Sequence, residues 1–169
     1  MIVDIVPIST LDFRKVRYYT VLYEGHDMPE FQDFQQRMHI LEKDRFEVRE
    51  INRHIEIIGK KYGAYSKHFR DEDAAEGLPP PYHQFVDSGD FNDFGLRLYC
   101  IRLSPSVVIL LNGDRKTSLK VKDCDNCRPH FNKAVAVAKR IDQAILDEYL
   151  EIDDENREII IDNDFILSI

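Results

Sequence analysis

The chain has 169 residues, of which 43% are hydrophobic and 32% charged, and its net charge at neutral pH is -8. This composition is typical of a globular protein with one domain and excludes a fibrous or intrinsically disordered chain. No apolar run approaches the roughly 18 residues that a membrane span needs, and the start, MIVDIVPIST, lacks the basic and apolar segments of a signal peptide. We therefore expect a cytoplasmic protein that does not associate with membranes.

The first half of the chain combines strand and helix signals. After the strand-like start, residues 16–24 are rich in Val and Tyr, which favour a pleated, half-buried surface. Pro29 suits the first turn of a helix. Apolar residues then recur at spacings of three and four: Phe31, Phe34, Met38 and Leu41, followed by Val48, Ile51, Ile55 and Ile58. This spacing predicts helices over residues 29–42 and 45–61, joined as an antiparallel hairpin that covers a sheet face.

The second half begins with the Pro-rich loop DEDAAEGLPPPYHQ and then carries further strand signals. Strands are predicted at residues 82–87, 96–103 and 107–111 and in the final segment REIIIDNDFILSI. Turns are predicted at residues 90–95, at SPS, at NGD and at residues 162–164. Between the last two strands, Pro129 opens a helix with an apolar stripe that runs from Phe131 to Tyr149.

This order of elements predicts an α+β fold. We expect a small, mainly antiparallel sheet that is covered by the N-terminal helical hairpin and by the C-terminal helix. No repeat or linker divides the sequence, so residues 1–169 are expected to form a single domain. Its core would span about residues 16–150, and residues 151–169 would form an acidic, strand-like extension.

Charge is unevenly distributed along the chain. From Arg97 to Arg140, ten Lys or Arg residues stand against three Asp, a local balance of +7, whereas residues 141–169 hold ten acidic residues and one Arg, a balance of -9. A basic segment in an acidic protein suits a polyanionic ligand. The acidic end would fold over this segment and mask it, or bind a partner. The alternative is that both segments are ordinary solvated surfaces.

Three segments resemble toxins of the RelE/ParE superfamily, in particular the HigB-like members. YYTVLYEGHDMPEFQDFQQRM resembles their opening strand and helix, LRLYCIRLSPSVVILLNGDRKT their central strands, and RPHFNKAVAVAKRIDQAI the helix that follows. The resemblance covers about Arg17 to Tyr149, in pieces separated by insertions. Where the family reads HGFxKKT, this chain reads NGDRKT, which retains Arg115 and Lys116 but lacks the His and the aromatic residue.

The resemblance implies a toxin-like component of a toxin–antitoxin system. The ribonuclease members of the family cleave messenger RNA, often on the ribosome, through attack of the RNA 2'-hydroxyl on its own phosphate. A metal-independent endoribonuclease with no cofactor is therefore implied, with an antitoxin protein as partner and RNA or the ribosome as target. Two alternatives remain: a non-catalytic protein-interaction module with the same fold, and a prophage or mobile-element protein of unrelated function.

RNA cleavage of this kind needs cations at the phosphoryl oxygens and groups that transfer protons. Strand alternation places Arg97 and Tyr99 on one face of their strand and Arg102 on the other. In the resemblance, Arg97 corresponds to the Arg of the family's central strand. The predicted catalytic residues are Arg97, Tyr99 and His83. The predicted RNA phosphate-binding residues are Arg115, Lys116, Lys120 and Lys122, of which the first two would close the same site as Arg97. The structural alternative is that the Arg forms a salt bridge at the polar end of the strand and the Tyr packs at the edge of the core.

Two further motifs admit a functional interpretation. CDNC followed by His130 has Cys-x-x-Cys spacing, but a structural zinc site needs four ligands and only Cys124, Cys127 and His130 lie close together, so no metal site is predicted. YGAYSKHF, which follows Lys60 and Lys61, combines basic and aromatic residues in a way that suits single-stranded RNA. The favoured interpretation of this second motif is a helix end whose aromatic side chains face the core.

Overall fold

The computed structural model describes residues 1–83 and 92–169, and within them the chain forms an α+β fold. The strands are β1 (Val3–Asp12), β2 (Arg17–Tyr23), β3 (Arg70–Glu72), β4 (Ala75–Leu78), β5 (Leu96–Ser104), β6 (Val107–Arg115), β7 (Leu150–Asp153) and β8 (Glu158–Ile161). The helices are α1 (Glu30–Arg37), α2 (Glu42–Ile57) and α3 (Arg128–Leu146). A π-helical turn (Ile58–Tyr62) extends α2, and short 3₁₀ turns occupy Ser66–His68 and Val121–Asp123.

Six of the strands form one sheet in the order β1-β2-β6-β5-β4-β3. Strands β2 and β6 are parallel, with Arg17 opposite Val107, and every other neighbouring pair is antiparallel. The remaining strands, β7 and β8, form a separate antiparallel hairpin. The expected α+β class with a mainly antiparallel sheet is therefore confirmed.

The sheet separates two apolar cores. On one face, α1 and α2 contribute Phe31, Phe34, Met38, Val48, Ile51 and Ile55, which pack with Tyr18, Leu96, Leu98, Cys100, Val108 and Leu110. On the other face, α3 contributes Ala134, Val137, Ala138, Ile141 and Ala144, which pack with Tyr19, Val21, Tyr99, Ile101, Ile109 and Leu111. Burial of one large apolar side chain stabilises a fold by roughly 1.5–3 kcal/mol, so both helical layers hold the sheet.

The apolar periodicity located most helices and central strands. The predictions at residues 16–24, at residues 96–103 and at Pro129 are confirmed by β2, β5 and α3. Helices α1 and α2 also form, but the chain leaves helical geometry between Arg37 and Glu42, and Leu41 is exposed. The two helices contact through the side-chain amides of Gln35 and Asn52, which exchange hydrogen bonds of 2.8 and 3.1 Å.

The predicted turn at NGD is wrong, because β6 continues through these residues to Arg115. The register between β5 and β6 shifts between Leu98 and Cys100, which is a β-bulge, and Gly113 lies opposite Leu98. A Cβ atom at Gly113 would lie 1.8 Å from the carbonyl oxygen of Arg97. The Asn-Gly pair therefore does not form a hairpin turn. Its glycine allows β5 and β6 to approach each other closely.

The segment before residue 84 contains structure that the Pro-rich composition concealed. Strands β3 and β4 form a hairpin where a loop was predicted. Of the strand predicted at residues 82–87, Tyr82 and His83 lie in irregular backbone and residues 84–87 lie outside the described residues. The turn predicted at residues 90–95 falls partly outside them as well.

The hairpin of β7 and β8 turns at residues 154–157, which was not predicted. The carboxylate of Asp153 accepts hydrogen bonds from the backbone and side chain of Asn156, at 3.0 and 2.8 Å, which closes this turn. The turn predicted at residues 162–164 forms directly after β8, where the Phe165 amide donates to the carbonyl oxygen of Asp162 at 3.0 Å. The last residues then return to the N-terminal strand, where the Val3 amide donates to Leu167 at 2.9 Å. Both ends of the chain thus meet at the β1 edge.

The acidic extension lies against the strands β1 and β2. Arg157 forms an ion pair with Asp12, and Glu158 lies 3.5 Å from Arg17. From the basic segment 97–140, Arg140 contacts the extension, with its guanidinium over the Phe165 ring. The hydroxyl of Ser106, in the same segment, donates to Asp154 at 2.7 Å, whereas the ion pairs of the extension lead to β1 and β2. That the extension folds over the basic segment and masks it stays a prediction. Among the described residues, no helix is long and apolar enough to cross a bilayer.

We expect Gly113→Ala to destabilise the fold by about 1–3 kcal/mol, because the added methyl group would overlap backbone that cannot move independently of β5. Gly77→Ala is the matched control, since a Cβ atom there would meet the flexible Glu72 side chain at 3.2 Å. Urea denaturation followed by circular dichroism measures both. Equal stability of the wild-type protein and the Gly113→Ala variant would contradict this role of the bulge.

Candidate nucleic-acid interface

Arg97 and Tyr99 lie on the α3 face of the sheet, as strand alternation predicts. Tyr99 is fully buried, and its ring packs edge-to-face on Phe131 with 5.8 Å between ring centroids. Arg97 is 6% exposed, and its Nη1 donates hydrogen bonds to the carbonyl oxygens of Phe94 and Leu96 at 3.0 and 3.1 Å. Arg102 lies on the opposite face and pairs with Glu76 at 3.1 Å.

Strand register brings the hairpin β3–β4 beside Arg97. Arg70 pairs with Gly77 and Gly77 pairs with Tyr99, so the side chains of Arg70 and Tyr99 share a face. Because Gly77 lacks a side chain, Glu72 occupies the space above it. The charges of Arg70, Arg97 and Lys116 all act on the carboxylate of Glu72. We call Arg70, Glu72, Arg97 and Lys116 the cation cluster.

Burial and neighbouring charges both shift the pKa values of the cation cluster. Burial raises the pKa of Glu72, and the charges of Lys116 and Arg97 work against this rise. Burial lowers the pKa of Lys116, and the neighbouring Arg97 lowers it further. The pKa of Arg97 is lowered by burial in the same way. The cation cluster itself thus contains three cations and one carboxylate, and the charges of Asp71 and Glu47 also act on it.

Nε of Arg97, a buried donor of the cation cluster, lacks a hydrogen-bond partner among the described residues, and the buried hydroxyl of Tyr99 lies next to Cys127. Burial raises the pKa of Tyr99, so its hydroxyl stays protonated at neutral pH. A buried donor without a partner costs about 1–3 kcal/mol. An anion that accepted from Nε of Arg97 would recover that free energy.

Arg115 lies on the opposite face of the sheet, so the expectation that it closes the same site as Arg97 is wrong. It pairs with Leu96 across the strands, whereas Arg97 pairs with Asp114. The guanidinium donates to Asp93 at 2.8 Å. It also forms ion pairs with the buried residues Asp44 and Glu47 of α2. Three carboxylates therefore neutralise this cation within the protein.

The other predicted phosphate ligands follow β6 in the chain. Lys116 belongs to the cation cluster, and its ammonium group lies 5.9 Å from the centre of the Phe94 ring. Lys120 and Lys122 are exposed in the loop that leads to α3. Of the four residues, Lys116 is the one that the structure brings to Arg97.

His83 lies in a group of aromatic side chains near the end of α2. We call this group the histidine–tyrosine surface; its members are His54, Tyr62, Tyr65, His68, Tyr82 and His83. The imidazole rings of His54 and His83 contact each other edge-to-face, and the phenol ring of Tyr62 stacks on the imidazole of His68, each pair with 4.8 Å between ring centroids. The hydroxyl of Tyr82 and Nδ1 of His68 are hydrogen-bonded at 2.9 Å.

The tyrosines of this surface face solvent. Tyr62, Tyr65 and Tyr82 are 50%, 51% and 60% exposed. The favoured interpretation of YGAYSKHF as a core-facing helix end is therefore wrong for Tyr62 and Tyr65, although His68 and Phe69 of the same motif are buried. The three lysines of this region, Lys60, Lys61 and Lys67, are exposed as well.

Two histidines of this surface, His54 and His68, have a lowered pKa and favour the neutral imidazole. Burial lowers the pKa of His54, and the neighbouring His83 lowers it further. Burial and the charge of Lys67 lower the pKa of His68. A neutral imidazole accepts a proton at physiological pH, which is what a general base requires.

Arg70 connects the histidine–tyrosine surface to the cation cluster. Its Nε donates to the carbonyl oxygen of Pro79 at 2.9 Å, and its Nη2 donates to that of His83 at 3.2 Å. Arg70 thus joins the backbone of Pro79 and His83 to the cation cluster. Sequence reasoning missed Arg70, Glu72 and His54, because the first two lie in a segment with loop composition and His54 resembles any polar residue on the flank of a helix.

The three residues spaced for zinc do not form a metal site. Cys124 and Cys127 are buried as free thiols, and Sγ of Cys124 accepts a hydrogen bond from the Cys127 amide at 3.4 Å. His130 instead lines a cleft with Asp33 and Asn112. Within residues 1–83 and 92–169, no group of three or more His, Cys, Asp or Glu residues is placed to hold a metal ion.

We expect Asp93→Asn to remove part of the acid sensitivity of folding. Burial acts to raise the pKa of Asp93, but hydrogen bonds from Lys43, the Gly95 amide and Arg115 outweigh it and lower this pKa to about 2. Asp93 therefore stabilises the fold above about pH 4, by roughly 2 kcal/mol, and this contribution is lost as pH falls from about 4 to 2.

Urea denaturation of the wild-type protein and the Asp93→Asn variant, repeated between neutral pH and the acid range, measures this contribution. The exposed residue Asp125 supplies a control, Asp125→Asn, for loss of a carboxylate. A constant difference in stability between the wild-type protein and the Asp93→Asn variant down to low pH would contradict the role of this ion-pair network.

Compared with known proteins, the chain matches no family model, no curated protein and no solved structure. A functional conclusion therefore depends on the residues and their geometry.

Proposed function

We propose that the protein is a toxin-like RNA-binding protein of the RelE/ParE type that cleaves RNA without a metal ion. The observation that carries the proposal is the cation cluster, in which three cations face one carboxylate and Nε of Arg97 lacks a partner among the described residues. An RNA phosphate would supply the missing negative charge and the missing acceptor.

The architecture supports the proposal. The resemblance implies a sheet between an N-terminal helical pair and a C-terminal helix, and α1, α2 and α3 pack on the sheet in this way. The acidic net charge is compatible with RNA binding, because the cation cluster and the exposed lysines concentrate positive charge locally.

The histidine–tyrosine surface would bind the bases that flank the bound phosphate. Exposed tyrosine rings stack on the bases of single-stranded RNA, and neighbouring lysines pair with its phosphates. Such binding tolerates many sequences, because every base has an aromatic face. The proposed substrate is therefore single-stranded RNA, including messenger RNA.

The proposed reaction is attack of an RNA 2'-hydroxyl on the adjacent phosphate. The imidazole of His54, which has a lowered pKa, or that of His83 would accept the proton of the 2'-hydroxyl, and Arg97 and Lys116 would stabilise the negative charge that develops on the phosphoryl oxygens. The O–P bond to the leaving 5'-oxygen breaks, and a proton donor completes the cleavage. The catalytic role of Tyr99 stays a prediction; from its buried position, Tyr99 would support Arg97 without contacting RNA.

We expect Lys116→Gln and Arg97→Gln each to weaken binding of single-stranded RNA by about tenfold at moderate salt, because each removes one phosphate contact. Fluorescence anisotropy across a salt series measures the affinity, and the slope of log affinity against log salt should decrease by about one for each variant. Arg102→Gln is the matched control, since Arg102 lies on the other face and pairs with Glu76.

If all three variants bind RNA as the wild-type protein does, the cation cluster is not the phosphate site. For cleavage, the readout is growth arrest on expression and cutting of ribosome-bound messenger RNA. A harmless wild-type protein that cuts no RNA would favour the non-catalytic interaction module.

The aromatic contribution has its own test. Replacing both Tyr62 and Tyr65 by Ala should weaken RNA binding by about tenfold or more, because each stacked base contributes about 1–3 kcal/mol, whereas replacing both by Phe should preserve binding. Tyr149→Ala is the control, because Tyr149 is similarly exposed but lies beside the acidic hairpin. Equal affinities of the Ala and Phe double variants would rule out base stacking at this surface.

A further inference from the structure

The C-terminal hairpin carries a cleft that the proposed RNA site does not use. Its volume is about 380 Å³. It lies where the end of α3 leads into β7 and β8 and the chain leaves β8. The lining residues are Glu148, Tyr149, Glu151, Ile160, Ile161, Asp162, Asn163 and Asp164. We call this site the hairpin cleft.

The hairpin cleft presents apolar side chains to solvent. Strand alternation directs Leu150 and Ile161 toward the core and places the directly opposed pair Glu151 and Ile160 on the outer face. Ile160 is 49% exposed, and Tyr149, whose ring stacks on Phe165 at 4.9 Å, is 45% exposed. Tyr149 and Ile160 are thus both about half exposed at the hairpin cleft.

The rim of the hairpin cleft is acidic. Glu148, Glu151, Asp162 and Asp164 line it, and among the described residues none of the four forms an ion pair. The basic residue of the extension, Arg157, is engaged elsewhere, with Asp12. The guanidinium of Arg140 lies over the Phe165 ring that stacks on Tyr149, but no ion pair neutralises the rim within the described part of the chain.

The acidic rim and the half-exposed apolar side chains together indicate which kind of partner the hairpin cleft would bind. Nucleic acid and anionic membrane surfaces are repelled by four carboxylates. A protein segment that alternates basic and apolar residues would place its cations against the rim and its apolar side chains against Tyr149 and Ile160. We infer that the hairpin cleft docks a basic, amphipathic segment of a partner protein. This inference does not depend on RNA cleavage.

The test uses the full-length protein and a fluorescein-labelled peptide of alternating lysine and leucine as the probe. We expect anisotropy to show binding that weakens with added salt, and the corresponding glutamate–leucine peptide should not bind. Ile160→Ser and Glu151→Lys should each weaken binding of the lysine–leucine peptide by about tenfold. Both variants should fold, because Ile160 and Glu151 lie on the outer face of the hairpin. Circular dichroism checks this.

Two matched controls separate the hairpin cleft from general attraction. Leu119→Ser removes an equally apolar, exposed side chain from another loop, and Glu155→Lys reverses a charge at the tip of the same hairpin outside the cleft. Both should bind the lysine–leucine peptide as the wild-type protein does. Loss of binding in the controls equal to that in the cleft variants would show diffuse charge attraction and overturn the inference.

Two other outcomes would also overturn it. One is no binding of the lysine–leucine peptide by the wild-type protein. The other is a homodimer in sedimentation equilibrium that Ile160→Ser dissociates, since the occupant would then be a second copy of the chain. RNA affinity, measured in parallel, should be unchanged in Ile160→Ser. Failure of peptide binding is thereby distinguished from failure of the proposed RNA site.

Discussion

The pairing of β5 with β6 decides the chemistry of both faces of the sheet. The bulge shifts the register so that Gly113 lies against the backbone of Arg97 and Asp114 lies opposite that residue. Beyond the bulge, alternation directs Arg115 to the α2 face and Lys116 to the α3 face. Two consecutive basic residues therefore enter two different environments, and the close approach at Gly113 holds them there.

The two environments give arginine two different roles. Arg115 meets carboxylates of Asp44, Glu47 and Asp93, so its charge is balanced and it joins α2 to the sheet. Removing one partner from such a network is costly, because buried charges would remain unpaired. Arg97 is at least as buried, but shares one carboxylate with two other cations. Arg115 is therefore a structural connection on the α2 face, and Arg97 is the centre of a proposed anion site on the α3 face.

Opposite kinds of surface occupy different parts of the molecule. The histidine–tyrosine surface combines exposed aromatic rings with lysines, and Arg70 connects it to the cation cluster. The hairpin cleft combines half-exposed apolar side chains with carboxylates and is attached to β1 and β2 through Arg157 and Glu158. An acidic protein can in this way offer one surface to RNA and another to a basic protein, because each ligand responds to local charge more than to net charge.

The sequence by itself determined the elements whose residues repeat with a regular period, namely β2, β5 and the three helices. It also determined that Arg97 and Tyr99 share a face and that Arg102 lies on the other, because alternation is a local property of a strand. Only the tertiary structure decided which residues meet. Arg70 and Glu72 reach Arg97 through two strand pairings, and Arg115 finds Asp44 at a separation of 71 residues. The bulge at Gly113 and the exposure of Tyr62 and Tyr65 have the same origin. Each depends on contacts between segments distant in the chain, which local periodicity does not encode.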